Sequence, residues 1–454
     1  MSPTFRSLHN RNYRLYASGA VVSNVGTWMQ RVAQDWLVLQ LTHNSGTALG
    51  ITTGLQFLPI LLLSPYAGLV ADRFSKRRLL QVTQTLLALP AVVLGLLAVT
   101  GVAHTWQVFL LAFVFGIGSA FDAPARQSFV SEIVVRDDLT NAVGLNSASF
   151  NLARMIGPAL AGLLIAALGS GVPATGAVIL VNAVSYGAVI ISLQRMREHE
   201  LHPATPAPRH RGMIREGVAY TLRRPDLMMI LTIVFFAGTV GLNFQITSAL
   251  MATEVYHKGA GEYGLLGTTL AIGSLSGALL AARRGRIRHR LVIAAAVAFG
   301  LAEVVGGLMP TYAAFAVWTP VIGIASLTLI TSANASFQMS LDPVMRGRVM
   351  ALYMMVFMGG TPIGAPIVGW VGQVFGPRWT LVGGGLATVL GTLLAVAVFS
   401  RAKGLTGRLV HRAETQAETR PETRFATRPE TRADTRIEAR PDVGAADGVV
   451  AGRT

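Results

Sequence analysis

A chain of 454 residues that is 52% hydrophobic, 13% charged and of mean hydropathy +0.51 is too apolar for a soluble protein, whose domains carry about 25% charged residues. The formal charge of +16 does not mark a nucleic-acid partner, because the basic residues sit in short loops between apolar runs and not on a face interleaved with aromatics. With no cysteine, all nine histidines outside the apolar runs and no G-x-x-x-x-G-K-[ST] motif, no disulfide, metal centre or P-loop ATP hydrolysis is expected.

A membrane span needs about 20 apolar residues to cross a hydrocarbon core of about 30 Å. The opening MSPTFRSLHNRNYR has the charge of a signal-peptide n-region. The apolar stretch behind it is too long for an h-region and carries Arg31 and Asp35, so it reads as an uncleaved first span. Spans 1 to 6 are predicted near 13–41, 48–71, 79–100, 106–125, 139–168 and 174–193. A polar connector over 194–226 follows, with PATPAPRHR and the amphipathic piece IREGVAYTLRR, and spans 7 to 12 fall near 227–253, 264–282, 291–309, 313–337, 344–375 and 379–400. The chain thus divides into an N-terminal six-helix half (1–193), a connector (194–226), a C-terminal six-helix half (227–403) and a tail (404–454). From Ala413 the tail repeats in fours (AETQ, AETR, PETR), with almost nothing apolar to bury, and reads as disordered.

Arg and Lys set the expected orientation. Loops 2–3, 4–5, 6–7, 8–9 and 10–11 hold Arg73 to Arg78, Arg136, Arg195 to Arg224, Arg283 to Arg290, and Arg346 with Arg348, whereas the opposite loops hold only Lys258 and Arg378. The positive-inside rule then places both termini in the cytoplasm of a multi-pass plasma-membrane protein. The halves also look related at an offset near 207: Gly116 and Gly118 of span 4 answer to Gly323 and Ala325 of span 10, and Gly157, Gly162 and Gly169 answer to Gly364, Gly369 and Gly376.

Two stretches carry a family resemblance. The loop GLVADRFSKRR (68–78) has the spacing G-x-x-x-D-R-x-x-[KR]-[KR], with Ser75 where a second glycine is usual. In span 5, GLNSASFNLARMIGPALAG places Gly144, Ala153, Gly157, Pro158, Ala161 and Gly162 at the positions of an antiporter-type pattern, with alanine for glycine at two of them. On these motifs the chain resembles the major facilitator superfamily: an all-α membrane protein of twelve transmembrane helices in two pseudo-symmetric six-helix halves, with substrate bound between them. VAQDWLVLQLT in span 1 and FDAPARQSF in span 4 are similar to the enterobactin-exporter-like and transmembrane-secretion-effector branch, over about residues 5 to 400. The arginine that many drug and sugar carriers hold in span 4 is absent; Ala112 stands there.

The resemblance implies a non-enzymatic transporter that exports a small amphipathic molecule (drug, siderophore or secondary metabolite) by proton antiport, with the lipid bilayer and protons as its other partners, no cofactor, no nucleic acid, and a monomeric state. It also implies a conformational latch at the cytoplasmic ends, involving Gly68, Asp72, Arg73, Arg77, Asp122 and Arg126. Ionisable groups inside spans cost about 2.5–3.5 kcal/mol each on insertion scales, which makes them functional candidates. Arg31 and Asp35, spaced i, i+4 on one face of span 1, are therefore either a self-neutralising pair or a proton carrier with its regulator or anion contact. Arg154 adjoins the span 5 motif, and Glu303 of span 9 is expected in a structural or lipid-edge role. Substrate is expected among spans 1, 4, 5, 7, 10 and 11. Its polar contacts would be Asn24, Gln30, Gln34, Asn146, Asn151, Asn243, Gln245, Asn334 and Gln338, beside an adaptable wall of Trp28, Trp36, Phe244, Met354 and Met358. Uptake by symport, and a non-transporting scaffold or sensor, are the alternatives. The span 5 motif argues against the first, and charges buried in spans 1 and 4 argue against the second.

Overall fold

The structure is a computed structural model, and it describes residues 3–202, 213–282, 289–342 and 345–418. Spans 1 to 6 are α1 (Arg11–Leu41), α2 (Gly46–Arg73), α3 (Lys76–Val99), α4 (Thr105–Ile133), α5 (Arg136–Ala167) and α6 (Val172–Gln194). A short helix in the connector, α7 (Met213–Leu222), precedes span 7, which is built from α8 (Pro225–Phe236) and α9 (Phe244–Leu250). Spans 8 to 12 are α10 (Ala260–Ala282), α11 (His289–Gly307), α12 (Tyr312–Met339), α13 (Arg346–Val374) and α14 (Arg378–Glu418). Eleven spans among the described residues are long and apolar enough to cross a membrane. The twelfth, α1, has the length but carries Gln30, Arg31, Gln34 and Asp35, whose polar ends are turned to α6, the cavity between the halves, α2 and α10.

Asparagine, serine and threonine side chains cap the helices where a loop is tight. Asn10 accepts from the Tyr13 amide at 2.9 Å, Ser45 from Ala48 at 3.2 Å, and Thr311 from Ala314 at 3.2 Å. Span 7 departs from the expected single helix. It passes through π-turns at Ala237–Gly241 and Met251–Val255 and is irregular at Leu242 and Asn243. Gly238, Gly241 and Asn243 are weak helix formers, and the Asn243 amide donates to the Thr239 carbonyl at 2.7 Å, satisfying one acceptor at the break. The end of the chain also differs from expectation. α14 continues from Gly404 to Glu418, where a disordered tail is predicted, because LTGRLVHRAETQAE is rich in good helix formers and proline first recurs at Pro421. The rest of the tail lies outside the described residues.

The chain forms one unit over Met1–Gly404, which holds both six-helix halves, and a second from Leu405 onward. Within the first unit, glycines bring helix backbones together in a pattern that repeats between the halves. Gly116 of α4 lies on Gln56 of α2, and Gly323 of α12 lies on Leu270 of α10. Gly157 of α5 lies on Trp28 of span 1, and Gly364 of α13 lies on Thr239 of span 7. Gly162 of α5 meets Ala260 of α10, and Gly369 of α13 meets Gly46 of α2. The last two are the seams that join the halves. Lipid supplies no hydrophobic drive between helices, so close approach at small residues is what holds such seams.

Both seams lie at the end of the bundle opposite the basic loops. The α2–α13 seam runs from Gly46 through Gly50 and Gly54 to Leu61, which touches Gly359. The α5–α10 seam runs from Gly162 to Met155, whose carbonyl accepts from Thr268 Oγ1 at 2.8 Å. Nearer the basic end, Gly68 and Gly144 have nothing within 4 Å of where a side chain would project. The glycine contacts that join the halves thus gather at one end, and we take the other as the parted end. A side chain at Gly364 would collide with the Thr239 carbonyl, whereas one at Gly144 would meet open space. Gly364→Ala is expected to lower stability by about 1–3 kcal/mol, the usual cost of overpacking, and Gly144→Ala to leave it unchanged or slightly raised. Thermal melting of the two purified variants measures the contrast.

Candidate functional site

A cavity of about 230 Å³ lies at the interface between the halves. Its walls come from α1 (Trp28, Arg31), α2 (Thr53, Phe57), α5 (Arg154, Pro158), the broken part of span 7 (Leu242 to Ile246, with Ser248), α10 (Tyr263, Gly267) and α13 (Thr361). The break in span 7 places irregular backbone beside this space, the kind of setting in which a membrane tolerates it. Of the expected spans, α4 and α12 contribute no lining residue. The helices that carry the seams, α2 and α10, close over the cavity in their place.

Trp28 is the centre of the polar side. Gly157 gives it room, since a Cβ there would sit 2.5 Å from the Trp28 Cβ. The Arg31 guanidinium lies 4.7 Å from the Trp28 ring centroid, and that of Arg154 lies 5.6 Å away. Phe150 packs edge-on to the same ring, with centroids 5.8 Å apart. The span 5 motif thus has two duties: Gly157 seats the cavity aromatic, and Pro158 with Gly162 forms the seam to α10.

Arg31 and Asp35 do not pair within 4 Å, although they stand one turn apart. The Asp35 carboxylate, 7% exposed, instead accepts a hydrogen bond from Tyr263 of α10 at 2.8 Å, across the interface between the halves. Trp36 stacks on the Tyr263 ring, with centroids 6.4 Å apart and planes at 21°. Tyr263 was not foreseeable from the chain, since it sits 228 residues from its partner in the unremarkable stretch GEYGLL. Tyr263, Thr53, Phe57, Ser248 and Thr361 are among the site residues that sequence reasoning missed.

The expected polar contacts divide. Asn243 and Gln245 line the cavity with Trp28. Gln30 is turned toward α6, where it accepts from Asn182, and Gln34 is turned toward α2, where it donates to Gln56 at 3.3 Å. Asn24 reaches Ser149 at 3.5 Å, Asn146 borders a small apolar recess between α1 and α5, and Asn151 bonds its own helix at the Ser147 carbonyl, 2.8 Å away. Asn334 is half-buried on α12, and Gln338 is exposed near its basic end.

The latch residues do not gather at one point. Asp122 pairs with Arg126 along α4 at 3.0 Å and accepts from Thr83 and Gln84 of α3 at 2.9 and 2.7 Å. Arg77 donates to the Leu193 and Gln194 carbonyls and pairs with Glu198. Asp72 is half-buried and Arg73 exposed at the end of α2. Lys76, which the motif also supplies, is buried against Glu132. Glu303 is 2% exposed, so it does not lie at a lipid edge. Its carboxylate faces Gly241 beside the span 7 break, and Oε2 has no hydrogen-bond partner.

Two six-helix halves related by a repeat, a broken span and a cavity at their interface define a multi-pass membrane transporter of the major facilitator fold. The solved structures agree on that fold. A bacterial homologue of the human lysosomal transporter Spinster superposes with a TM-score of 0.66 at 15% identity over 86% of this chain and 96% of its own. A D-xylose–proton symporter gives 0.63 at 11% identity over 84% and 97%. The chain belongs to the transmembrane secretion effector family, whose profile matches residues 2–408. It is similar to the staphyloferrin A transporter of Staphylococcus aureus, at 25% identity over 84% of this chain and 94% of that protein. It is also similar to the multidrug efflux pump Tap of Mycolicibacterium fortuitum, at 28% over 84% and 93%, and to macrolide efflux protein A of Streptococcus pyogenes, at 24% over 78% and 87%. The family and these relatives are transporters, not enzymes.

The Tyr263–Asp35 bond spans the joined end, and its loss is expected to loosen that end. Leu250 is buried where it touches Gly46 and Gly372. In the cysteine-free chain, Leu250→Cys should react slowly with N-ethylmaleimide, and adding Tyr263→Phe should raise the rate severalfold. An unchanged rate would leave the bond without a part in closure.

Proposed function

We propose that the protein exports a small amphipathic molecule from the cytoplasm across the plasma membrane, in exchange for protons, by alternating access between its two halves. The observation that carries this reading is the cavity between the halves, sealed on one side by two glycine seams and ringed by Arg31, Arg154, Asn243 and Gln245. The efflux relatives supply the direction, and the antiporter-type pattern of α5 supports exchange. With the basic loops in the cytoplasm by the positive-inside rule, the parted end faces the cell interior, where an exported molecule is loaded. The path lies within one chain, which supports a monomeric transporter.

Asp35 is the proton carrier of this proposal. It is an acid on the pathway-lining helix α1, within its last two turns, and its bond to Tyr263 ties its charge state to the joining of the halves. Asp122 is taken up by Arg126, Thr83 and Gln84, and Glu303 lies behind span 7, away from the cavity. Protons entering through Asp35 would supply about 2.3 kcal/mol per elementary charge for each 100 mV of membrane potential. When the halves rock, Gly68, Asp72 and Arg73 would come together with the basic end of the other half and hold it closed.

Asp35→Asn is expected to abolish pH-gradient-driven export in everted vesicles while leaving downhill exchange and membrane insertion measurable. A variant that still pumps against a gradient would place coupling elsewhere. The sidedness is read separately: a cysteine at His104 should react with an impermeant maleimide on intact cells, and one at Ser75 should not. Labelling at Ser75 would reverse the orientation and the direction of transport with it.

A further inference from the structure

The cavity holds two guanidinium groups and no acid that answers them. Arg31 and Arg154 approach the Trp28 ring, at 4.7 and 5.6 Å from its centroid. The buried Arg31 Nε has no hydrogen-bond partner, and among the described residues neither guanidinium is within 4 Å of a carboxylate. Asp35, the acid nearest Arg31 along the helix, is held by Tyr263. Elsewhere in the same half, buried charges are answered: Asp122 by Arg126, and Lys76 by Glu132. Of the other polar groups on the cavity wall, the Gln245 amide, the Thr361 hydroxyl and the second N–H of Asn243 can donate, whereas the Thr53 and Ser248 hydroxyls donate to the Leu49 and Gln245 carbonyls.

We infer that this cavity is a seat for an organic anion, and that the exported molecule carries a carboxylate or a comparable oxyanion that is held by Arg31 and Arg154. The inference rests on the reading of the cavity as the substrate site. A guanidinium presents a rigid fork of donors that matches such a group, and two of them beside one ring leave a positive field that a cation would have to overcome. Trp28 and Phe150 offer an aromatic surface next to the fork, suited to an amphipathic body. A volume of about 230 Å³ is below the usual range for a drug-sized site, about 300–1,000 Å³, so the enclosed space fits the charged head while the body extends toward the parted end.

The test uses the full chain in lipid nanodiscs, with carboxyfluorescein as the anionic probe and rhodamine 123 as a cationic xanthene of similar size, read by fluorescence polarisation. Carboxyfluorescein should bind more tightly than rhodamine 123. Arg31→Gln and Arg154→Gln should each raise its Kd by about tenfold or more, the scale of losing a hydrogen bond to a charged group. Arg→Lys at either position should recover part of that loss, since the charge returns without the planar fork. On the unsubstituted chain, added salt should weaken the anion and not the cation, an outcome that does not depend on any variant folding. Rhodamine 123 binding as tightly as carboxyfluorescein, no carboxyfluorescein bound, or binding indifferent to both substitutions would overturn the inference. Binding is read without a gradient, so a protein that binds the anion but transports nothing would sink the export proposal and leave this one standing.

Discussion

Backbone contact between the two halves at a few glycines is the constraint on which the rest of the structure depends. Gly46, Gly50 and Gly54 let α2 lie on α13, and Gly162 and Gly264 let α5 lie on α10. Because lipid tails compete equally for apolar side chains, only this closeness, with its dense dispersion contacts, favours the joined state. Each seam has its counterpart in the other half, so the joined end is nearly symmetric and can part as a rigid rocking motion. The seams also set the depth of the cavity. Its walls at Thr53, Phe57 and Thr361 lie along the α2–α13 seam, and those at Pro158, Tyr263 and Gly267 along the α5–α10 seam.

Charge is distributed in a way that this geometry explains. An ionisable group within a span costs about 2.5–3.5 kcal/mol, a cost offset when a partner and full hydrogen bonding are supplied. The N-terminal half supplies both for Asp122, with Arg126, Thr83 and Gln84 converging on one carboxylate. Among the described residues, Arg31 and Arg154 receive only the face of Trp28, and cation–π attraction is worth about 0.5–2 kcal/mol. They remain under-satisfied in the cavity between the halves. On the proposed reading, that contrast separates the groups that hold the bundle together from those that would meet the cargo.

Much of this was legible in the chain. Twelve spans, the repeat offset of 207 residues and the close-packing role of the span 5 glycines follow from hydropathy period and residue size, which are local properties. The repeat gained its physical meaning only in three dimensions, where Gly157 and Gly364 each receive the first span of their own half and Gly162 and Gly369 each face the other half. What sequence could not give is rotation about a helix axis and pairing across the fold. Gln30 and Gln34 are as polar as Asn243, yet one bonds α6 and the other α2, because residues four apart still differ by about 40° and their long side chains turn to different neighbours. The pairing of Arg31 with Asp35 failed for the same reason. An i, i+4 spacing permits contact but does not require it, and a tyrosine on α10 offered the carboxylate a better-placed donor.

The sign of the coupling follows from where these groups sit. An anion at Arg31 and a proton on Asp35 would assist each other, because each reduces the repulsion the other meets, and linkage makes that assistance reciprocal. Exchange of an anionic cargo for protons therefore cannot come from competition for a single charge, as it would for a cationic cargo. It has to come from loading the two sites in different conformations. Asp35 is not part of the cavity wall in the joined state; Tyr263 and Trp36 cover it, and Tyr263 occupies its oxygen. Parting the seams on that side removes α10, and Tyr263 with it, which opens Asp35 to the medium that the cargo enters on release. In the proposed cycle, the hydrogen bond between the halves would thus supply what electrostatics within one state would deny, a proton site whose access alternates with the seams.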